Sequence, residues 1–456
     1  MAHIAPLKPR MAPNRPGRLH ISRTLVMSLA FFSVLLAWSY FNLKVPLLLD
    51  QLLPDIAVKD TLKGLIMAID NILALLLQPF FGDLSDRTSS RFGRRMPYIV
   101  VGTCAGALFF AAIPWVQALA GLVAIVFLFN LSMSLYRTVS LVIVADYTPD
   151  DVRARGSAIQ QFVANLGGVI GLSAPLLLSR LPLPPRLYDA GGFALISVLM
   201  LVALLVQLLS IRETPTGTHV YAVSQRAFAV DAVTLRASRS AASKRNPRPG
   251  MKAIRDVLGK DRNMLFFVIA VFFWYLGFAS TEAFFSSFAV SFLGKANDAE
   301  ASQLFLAFTA PMILFAYPAG LVGTRFGRKR ALVFFLVWLV LSLGVMAGGV
   351  APFMYKASND TLVTIMLILT GMPWMGVVVN SFPLMWGFAP ERRIATYTGV
   401  YFTFNQTAYS LAPIIMGSVL SAFAGLGDYR YIVVFPFIFV CFLIGLVVVL
   451  FIRYRE

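Results

Sequence analysis

Twelve long apolar stretches limit the fold of this chain more than any other feature. They lie at about 24–46, 60–82, 97–117, 119–143, 157–180, 191–211, 263–291, 302–322, 331–351, 361–386, 397–421 and 431–453. Each has roughly the 20 residues that a helix needs to cross the ~30 Å hydrocarbon core of a bilayer. Because the stretches are continuously apolar and do not alternate with polar residues, they predict an all-α membrane protein and exclude a β-barrel.

A short charged motif occurs twice between these stretches. Gly-Asp-Leu-Ser-Asp-Arg at 82–87 and Arg-Phe-Gly-Arg-Arg at 91–95 follow the second stretch, and Arg-Phe-Gly-Arg-Lys at 325–329 follows the eighth. Asn165 and Asn405, each followed by an Ala-Pro pair, repeat at a similar offset. Matches in corresponding positions of two halves predict two pseudo-symmetric six-helix bundles in tandem, the architecture of a secondary transporter.

The only long polar stretch separates these halves. The chain is expected to divide into a cytoplasmic N-terminus (1–23), an N-terminal six-helix bundle (24–211), a basic cytoplasmic linker (212–262) and a C-terminal six-helix bundle (263–453). Within the linker, residues 250–259 predict a short amphipathic helix on the membrane face. The first apolar stretch is too long for a signal peptide and predicts a retained span.

Lysine and arginine residues predict the orientation. Of the 39, 30 fall in the termini and in the loops that follow every second stretch, and 8 fall in the opposite loops and helix ends. By the positive-inside rule, both termini are expected in the cytoplasm and the protein in the cytoplasmic (inner) membrane. The net charge of +18 is thus explained by topology and by attraction to anionic lipid, and it does not require a nucleic-acid partner.

The chain resembles the major facilitator superfamily, whose loop between the second and third helices typically reads Gly-x-x-x-Asp-Arg/Lys-x-Gly-Arg-Arg. Its longer loop, together with residues 70–79, 145–153 and 396–402, is similar to the sucrose–proton symporters and their bacterial relatives, and distantly to the glycoside–pentoside–hexuronide cation symporters. The resemblance implies a proton-coupled symporter of a disaccharide or glucoside that works by alternating access.

Two positions depart from these patterns. Sodium-coupled relatives usually have a carboxylate immediately before the proline of the second helix, where this chain has Gln78, a poor sodium ligand by itself. The acid of the loop motif is replaced by Thr324 in the second half. The gate of the first half is therefore expected to be the electrostatically stronger one.

Three charged residues inside spans are candidates for proton coupling: Asp70, Arg137 and Glu282. A carboxylate in a membrane is costly, and burial favours its neutral form whereas a nearby cation favours its charged form. Asp70 is either a proton carrier or a permanently paired structural acid. Arg137 either neutralises Asp70, binds substrate hydroxyls or extends to the interface. Glu282 is either a second protonation site or the partner of an outer cation such as Lys44.

Amides and aromatic rings suit the polar edges and apolar faces of a sugar. The substrate-binding candidates are Trp38, Asn42, Asn71, Asn130, Trp274, Tyr275, Asn380, Asn405 and Gln406. For the amides, the alternative is hydrogen bonding between helices; for the rings, it is packing or contact with lipid.

The loop motifs predict a gate that pairs across the halves and holds the cytoplasmic side shut. Its candidates are Gly82, Asp86, Arg87, Arg94, Arg95, Asp146, Arg153, Arg325 and Arg328. For some of the basic residues, the alternative is that they only enforce topology.

The function predicted is therefore secondary active transport of a small sugar with protons. The alternatives are a facilitator or exporter of another small organic solute and a sodium-coupled sugar symporter. No phosphate-binding glycine loop, metal cluster or nucleophile with an adjacent base is apparent, so enzyme activity, a cofactor and a metal site are not expected. The partners expected are a sugar, protons and the lipid bilayer, with the protein acting as a monomer.

Overall fold

A computed structural model describes residues 19–88, 90, 92–148, 152–182, 184–211, 251–356, 360–390 and 393–453. Thirteen α-helices occur within these ranges. They are α1 (Ile21–Leu52), α2 (Lys59–Arg87), α3 (Met96–Ala112), α4 (Leu119–Tyr147), α5 (Arg153–Leu178), α6 (Pro185–Ser210), α7 (Met251–Lys260), α8 (Arg262–Ser287), α9 (Asp298–Phe326), α10 (Arg328–Val345), α11 (Thr361–Phe388), α12 (Ile394–Ala422) and α13 (Val434–Leu450).

The predicted all-α membrane fold is confirmed, because each of the twelve apolar stretches lies on a helix. Eleven helices within the described residues are long and apolar enough to cross a bilayer. The twelfth, α12, has 29 residues, but polar side chains such as Asn405 and Gln406 lower its mean hydropathy. The remaining helix, α7, corresponds to the short helix predicted at 250–259.

The repeated loop motif has the same backbone conformation in both halves. Gly93 and Gly327, which occupy equivalent positions in it, both have φ of 94°. A residue with a side chain rarely adopts this φ, so glycine is required where the chain turns from one helix into the next. The sequence repeat is therefore also a repeat of local structure.

Each half has its own apolar core. In the first half, rings such as Tyr40, Phe110 and Phe193 pack edge to face at its centre. Two glycines of α5, Gly167 and Gly171, pack against backbone carbonyls of α1, so added side chains would collide there. Packed rings and close helix contacts at small residues thus hold the half together.

The halves meet mainly through three helix pairs, α2 with α12, α5 with α9 and α1 with α8. We call the side of the membrane where α1 begins and α13 ends the terminal side, and the opposite side the far side. Between described residues of the two halves, every hydrogen bond and ion pair lies at mid-depth or on the far side. The conformation is therefore one in which the far side is closed.

Two glycines allow α2 and α12 to approach closely on the far side. A Cβ at Gly64 would collide with the carbonyl oxygen of Pro413, and one at Gly417 would collide with that of Asp60. Thr61 beside them bonds Ser421 across the same contact, with 2.9 Å between the hydroxyl oxygens. Closure of the far side thus depends on backbone-to-backbone contact.

Gly64→Leu should prevent this closure, because the added side chain has no space unless the helices separate. We expect labelling of a far-side cysteine by an impermeant reagent to rise roughly tenfold, as an overpacking cost of about 1–3 kcal/mol would produce. The control is Gly425→Ala, where an added Cβ has no neighbour within 4 Å. Unchanged labelling in folded Gly64→Leu protein would show that this contact does not control the far side.

Candidate functional site

A cavity lies between the halves near mid-depth. Two helices from each half line it, with Trp38 and Asn42 from α1, Met67, Asp70 and Asn71 from α2, Ala279, Glu282 and Ala283 from α8, and Tyr409 and Pro413 from α12. Within each helix these positions are three or four residues apart, which places them on one helical face. The packing of these four helices places both predicted carboxylates at one cavity.

Asp70 is bound through its neighbour on the same helix. Its Oδ1 accepts hydrogen bonds from the backbone nitrogen of Asn71 at 2.6 Å and from the Asn71 side-chain nitrogen at 2.8 Å. The carboxyl side chain is buried, with the whole residue 4% exposed. From the other half, Gln406 Nε2 donates to the Asn71 side-chain oxygen at 3.2 Å. A continuous chain of hydrogen bonds thus connects α12 to the carboxylate.

Glu282 has a direct partner in the other half. Its Oε1 accepts a hydrogen bond of 2.8 Å from Asn42 Nδ2. The alternative prediction, in which Glu282 pairs with Lys44, is wrong, because Lys44 binds Asp189 at 2.6 Å and Asp298 at 2.7 Å instead. Both cavity carboxylates are therefore tied to amides, one directly and one through Asn71, by bonds between the halves.

Arg137 stands beside the cavity, behind one of its aromatic walls. Its guanidinium carbon lies 4.7 Å from the centre of the Trp38 ring, in a cation–π contact. It interacts electrostatically with Asp70 and Glu282. In this conformation, however, no carboxylate oxygen of either acid lies within 4.0 Å of its guanidinium nitrogens. The predicted ion pair with Asp70 is therefore not formed here. Arg137 Nη1 is buried without a hydrogen-bond partner, which excludes extension of this nitrogen into water.

Several predicted substrate residues lie elsewhere. Trp274 is 1% exposed in the core of the second half, where α13 passes its indole at Gly445. Asn380 donates to the carbonyls of Ala319 and Gly376 and accepts from Arg328, so its amide is used within the second half. Both are corrections, because burial inside one bundle removes these side chains from the interface.

Three further candidates differ in their surroundings. The Tyr275 hydroxyl lies 3.3 Å from that of Tyr401, and its ring contacts the cavity residue Tyr409 at 5.5 Å. Asn130 is buried on α4 with neither amide atom hydrogen-bonded. Asn405 is half-buried on α12 and does not belong to the described cavity wall.

The predicted terminal-side gate forms its pairs inside the first half. Arg95 binds Asp86 at 2.6 Å and Asp146 at 2.8 Å, and Arg94 binds Asp146 at 2.8 Å. Arg87 pairs with Asp83 on its own helix at 2.9 Å. The predicted pairing of Asp86, Arg87 and Arg94 with the other half is thus absent between described residues, as expected where the far side is the closed one.

The remaining gate candidates have smaller roles in this conformation. Gly82 allows α2 to approach Thr138 of α4. Arg325 lies over the ring of Phe326, and Arg328 Nη1 donates to Asn380 at 3.2 Å. The side chain of Arg153 is outside the described part of the structure.

A buried ion cluster on the far side was not predicted. Lys63 is fully buried and lies 2.7 Å from Asp50 and 3.4 Å from Asp60. From the second half, Arg430 binds Asp60 at 2.7 Å and the hydroxyl of Tyr431 accepts from Lys63 at 3.1 Å. Two cations and two carboxylates thus form a neutral cluster that joins the halves.

A second far-side cluster surrounds Lys44. Its ammonium binds Asp189 of the first half and Asp298 of the second, and Tyr188 donates to Asp298 at 3.1 Å. Lys44 and Lys63 each fall within a predicted span, where a cation requires a buried partner. That position was the available signal; the sequence alone did not show which acids would meet these lysines.

A larger cavity lies within the second half. Its wall is almost entirely apolar, with Phe278 stacked on Trp374 at 4.8 Å between ring centres. Its two threonines, Thr281 and Thr370, donate to carbonyls of their own helices. This cavity offers contacts to apolar groups, whereas charged and amide groups converge in the smaller one.

The chain was compared with known families and proteins. A family model described as Major Facilitator Superfamily matches residues 27–296, more than half of the chain. The "Proton-associated sugar transporter A" of Homo sapiens is 50% identical over 56 residues, which are 12% of this chain and only 7% of that protein. The Mus musculus protein of the same name matches equally.

Solved structures share the fold at low sequence identity. A bacterial homologue of the human lysosomal transporter Spinster, in an inward-facing and unoccupied conformation, gives a TM-score of 0.70 at 12% identity, covering 96% of this chain and all of that one. The nucleoside transporter NupG gives 0.67 at 14% identity, covering 94% and 99%. The peptide transporter POT gives 0.65 at 15% identity, covering 95% and 96%. At these identities the likeness shows the fold alone.

Lys63→Met should open the far side, because Asp50 and Asp60 then lose the cation that lies between them. Breaking a buried pair costs about 3–5 kcal/mol, so we expect far-side cysteine labelling to increase at least tenfold. Lys59→Met, one helical turn earlier on α2 and half-buried, is the matched control. If both variants label like the parent protein, the cluster does not hold the halves together.

Proposed function

The chain belongs to the major facilitator superfamily, and we propose that it is a proton-coupled symporter of a disaccharide or glucoside that works by alternating access. It is a membrane transporter and not an enzyme. The observation that carries the proposal is the charge balance of the cavity between the halves. Two carboxylates, Asp70 and Glu282, line the cavity, and Arg137 beside it is a cation that interacts electrostatically with both. When both acids are ionised the site has an excess negative charge, which a proton neutralises.

The cavity wall supports a sugar as the co-substrate. Trp38 and Tyr409 present flat apolar faces, and Asn42 and Asn71 present amide donors and acceptors at the same level. Sugars combine CH-rich faces with hydroxyl edges, so this mixture of rings and amides fits them. The 56-residue similarity to a protein called a proton-associated sugar transporter is consistent with this substrate class.

The orientation follows from the basic residues. The terminal side carries the Arg94 and Arg95 loop and, by the positive-inside rule, is the cytoplasmic side of the inner membrane. The far side then faces outward, and the conformation described above is closed to the outside. In this arrangement the proton and the sugar enter from the far side and leave on the terminal side.

A second candidate is a transporter of another amphipathic organic solute. The cavity lined by Phe278 and Trp374 favours it, because an apolar wall suits a ring or alkyl group better than the hydroxyl groups of a sugar. The two functions are separated by one measurement: addition of substrate to de-energised cells alkalinises the medium only if transport consumes external protons. A panel of disaccharides, glucosides and monosaccharides, tested at acidic and neutral pH with and without sodium, identifies the substrate and the coupling ion.

Asp70→Asn tests the proton site. If Asp70 carries the proton, concentrative uptake should fall to background, whereas counterflow exchange of pre-loaded sugar should persist because exchange needs no net proton movement. Both are measured in proteoliposomes with labelled sugar. Thr407→Ala, which removes a hydroxyl that bonds only its own helix at the same depth, is the control. Concentrative uptake that survives Asp70→Asn would exclude the assignment.

Arg137→Gln tests the cation. Without it, the acids of the cavity lack a nearby positive charge and hold their protons to higher pH. Net uptake should therefore fall at least tenfold at neutral pH, and the pH optimum should move upward. The double variant with Asp70→Asn should cost less than the sum of the two single changes. Near-normal uptake in both Arg137→Gln and Arg137→Lys would contradict a role in the site.

A further inference from the structure

Two amide hydrogen bonds between the halves have no explanation in helix packing alone. Asn42 of α1 donates to Glu282 of α8, and Gln406 of α12 donates to Asn71 of α2, which in turn donates to Asp70. In each case the donor belongs to one half and the acid to the other. We propose that Asn42 and Gln406 are positioning residues that drive proton release, because the bonds they make on far-side closure stabilise the charged form of each acid.

The chemistry sets the direction of this effect. A hydrogen bond to a carboxylate is roughly twice as strong as one to a neutral group. Closure therefore favours the ionised form of Glu282 over its protonated form, and the proton leaves to water on the terminal side. When the halves part on the far side, Asn42 is removed from Glu282 and the acid regains affinity for a proton. A symporter needs this alternation, in which it binds protons from one side and releases them to the other.

The link to Asp70 is indirect. Gln406 Nε2 lies 3.2 Å from the side-chain oxygen of Asn71 and 3.3 Å from its backbone oxygen. This bond orients the Asn71 carboxamide so that its nitrogen faces Asp70, and Asn71 Nδ2 lies 2.8 Å from Asp70 Oδ1. Hydrogen bonds in such a chain polarise one another, so loss of the first weakens the second. Gln406 thus acts on Asp70 through Asn71.

Other charged or titratable groups near the acids do not replace these bonds. Glu282 and Asp70 interact electrostatically with Arg137, with Tyr409 of α12 and with each other. These groups contribute a field in this conformation, whereas the amide bonds exist only when their two halves are in contact. Lys63 lies about two helical turns further toward the far side than Asp70, where it binds Asp50, Ser287 and Tyr431.

The experiment titrates the carboxyl groups by infrared difference spectroscopy in the full-length protein, with Glu282→Gln used to assign the band of Glu282. Thr61→Cys with Ser421→Cys supplies a disulfide that locks the far side closed, because these hydroxyls already lie 2.9 Å apart across the contact. Reduction of the disulfide provides the unlocked state of the same sample.

Locking should lower the pH at which Glu282 ionises, and Asn42→Ala should remove most of this difference. In the locked protein, we expect Asn42→Ala to move the titration midpoint of Glu282 upward by about one pH unit, a roughly tenfold change in proton affinity that corresponds to about 1.4 kcal/mol. Asn42→Ser, which retains a donor, should restore part of the shift. Gln406→Ala should produce a smaller upward shift for Asp70, and Thr407→Ala should change neither midpoint.

An unchanged Glu282 midpoint in locked Asn42→Ala protein would overturn the proposal, as would an equal shift in Thr407→Ala. The proposal rests on the proposed proton-coupled function, but its readout requires no substrate. A titration that depends on Asn42, in a protein whose Asp70→Asn variant still concentrates sugar, would refute the coupling function and retain the amide effect. The reverse pattern would retain the coupling function and refute the amide effect.

Discussion

A charge within a membrane must find a partner, and in this protein many of the partners lie in the other half of the molecule. Lys44 and Lys63 belong to the first half, yet Asp298, Ser287 and Tyr431 of the second half complete their coordination. In the cavity, Glu282 meets Asn42 in the same way. Since an unpartnered buried charge costs several kcal/mol, closure of the far side is the condition under which these charges are satisfied.

The charge balance of each cluster distinguishes those that only join the halves from the one that can take up and release a proton. The cluster at Lys63 contains two cations and two carboxylates, and each of them is paired with at least one opposite charge. The cluster at Lys44 has one acid more, but Asp189 is 38% exposed and water solvates it. In the cavity, the excess acid is enclosed with Trp38 and Tyr409, and water does not fully solvate it. Only there does neutralisation by a proton or a cationic ligand change the energy of the site strongly.

Much of the fold was predictable from the sequence because it depends on local features. Spans of about 20 apolar residues, and a glycine motif repeated at Gly93 and Gly327, define the helices and their pairing into halves without knowledge of any contact. The sequence shows how deep Asp70 and Glu282 lie in their spans. It does not show which neighbouring helix each side chain faces, so their convergence could not be predicted with certainty. Trp274 shows this limit: it has the expected depth, but its side chain points into the bundle core against Gly445.

Contacts between the halves were the least predictable part. Glu282 was one expected partner of Lys44, but the packing of α1 against α8 and α9 places Lys44 against Asp298 instead. The same holds for Gln406, whose bond to Asn71 requires α2 and α12 to approach as closely as Gly64 and Gly417 allow. Sequence patterns report the surroundings of a residue on its own helix, and these bonds depend on a partner several hundred residues away.

The two ends of the interface differ in what a conformational change requires. On the terminal side, Arg95 is already satisfied by Asp86 and Asp146 of its own half, so the first half keeps its pairs when the two halves separate there. On the far side, separation removes Arg430 from Asp60 and Lys44 from Asp298, although Lys44 keeps Asp189 and Asp60 keeps Lys63 within the first half. Opening the far side is therefore the more costly movement for the empty protein. The bonds from Asn42 to Glu282 and from Gln406 to Asn71 lie between these two ends. A ligand that binds in the cavity and neutralises its excess charge acts on these bonds. They therefore connect the charge of the site to the separation of the halves.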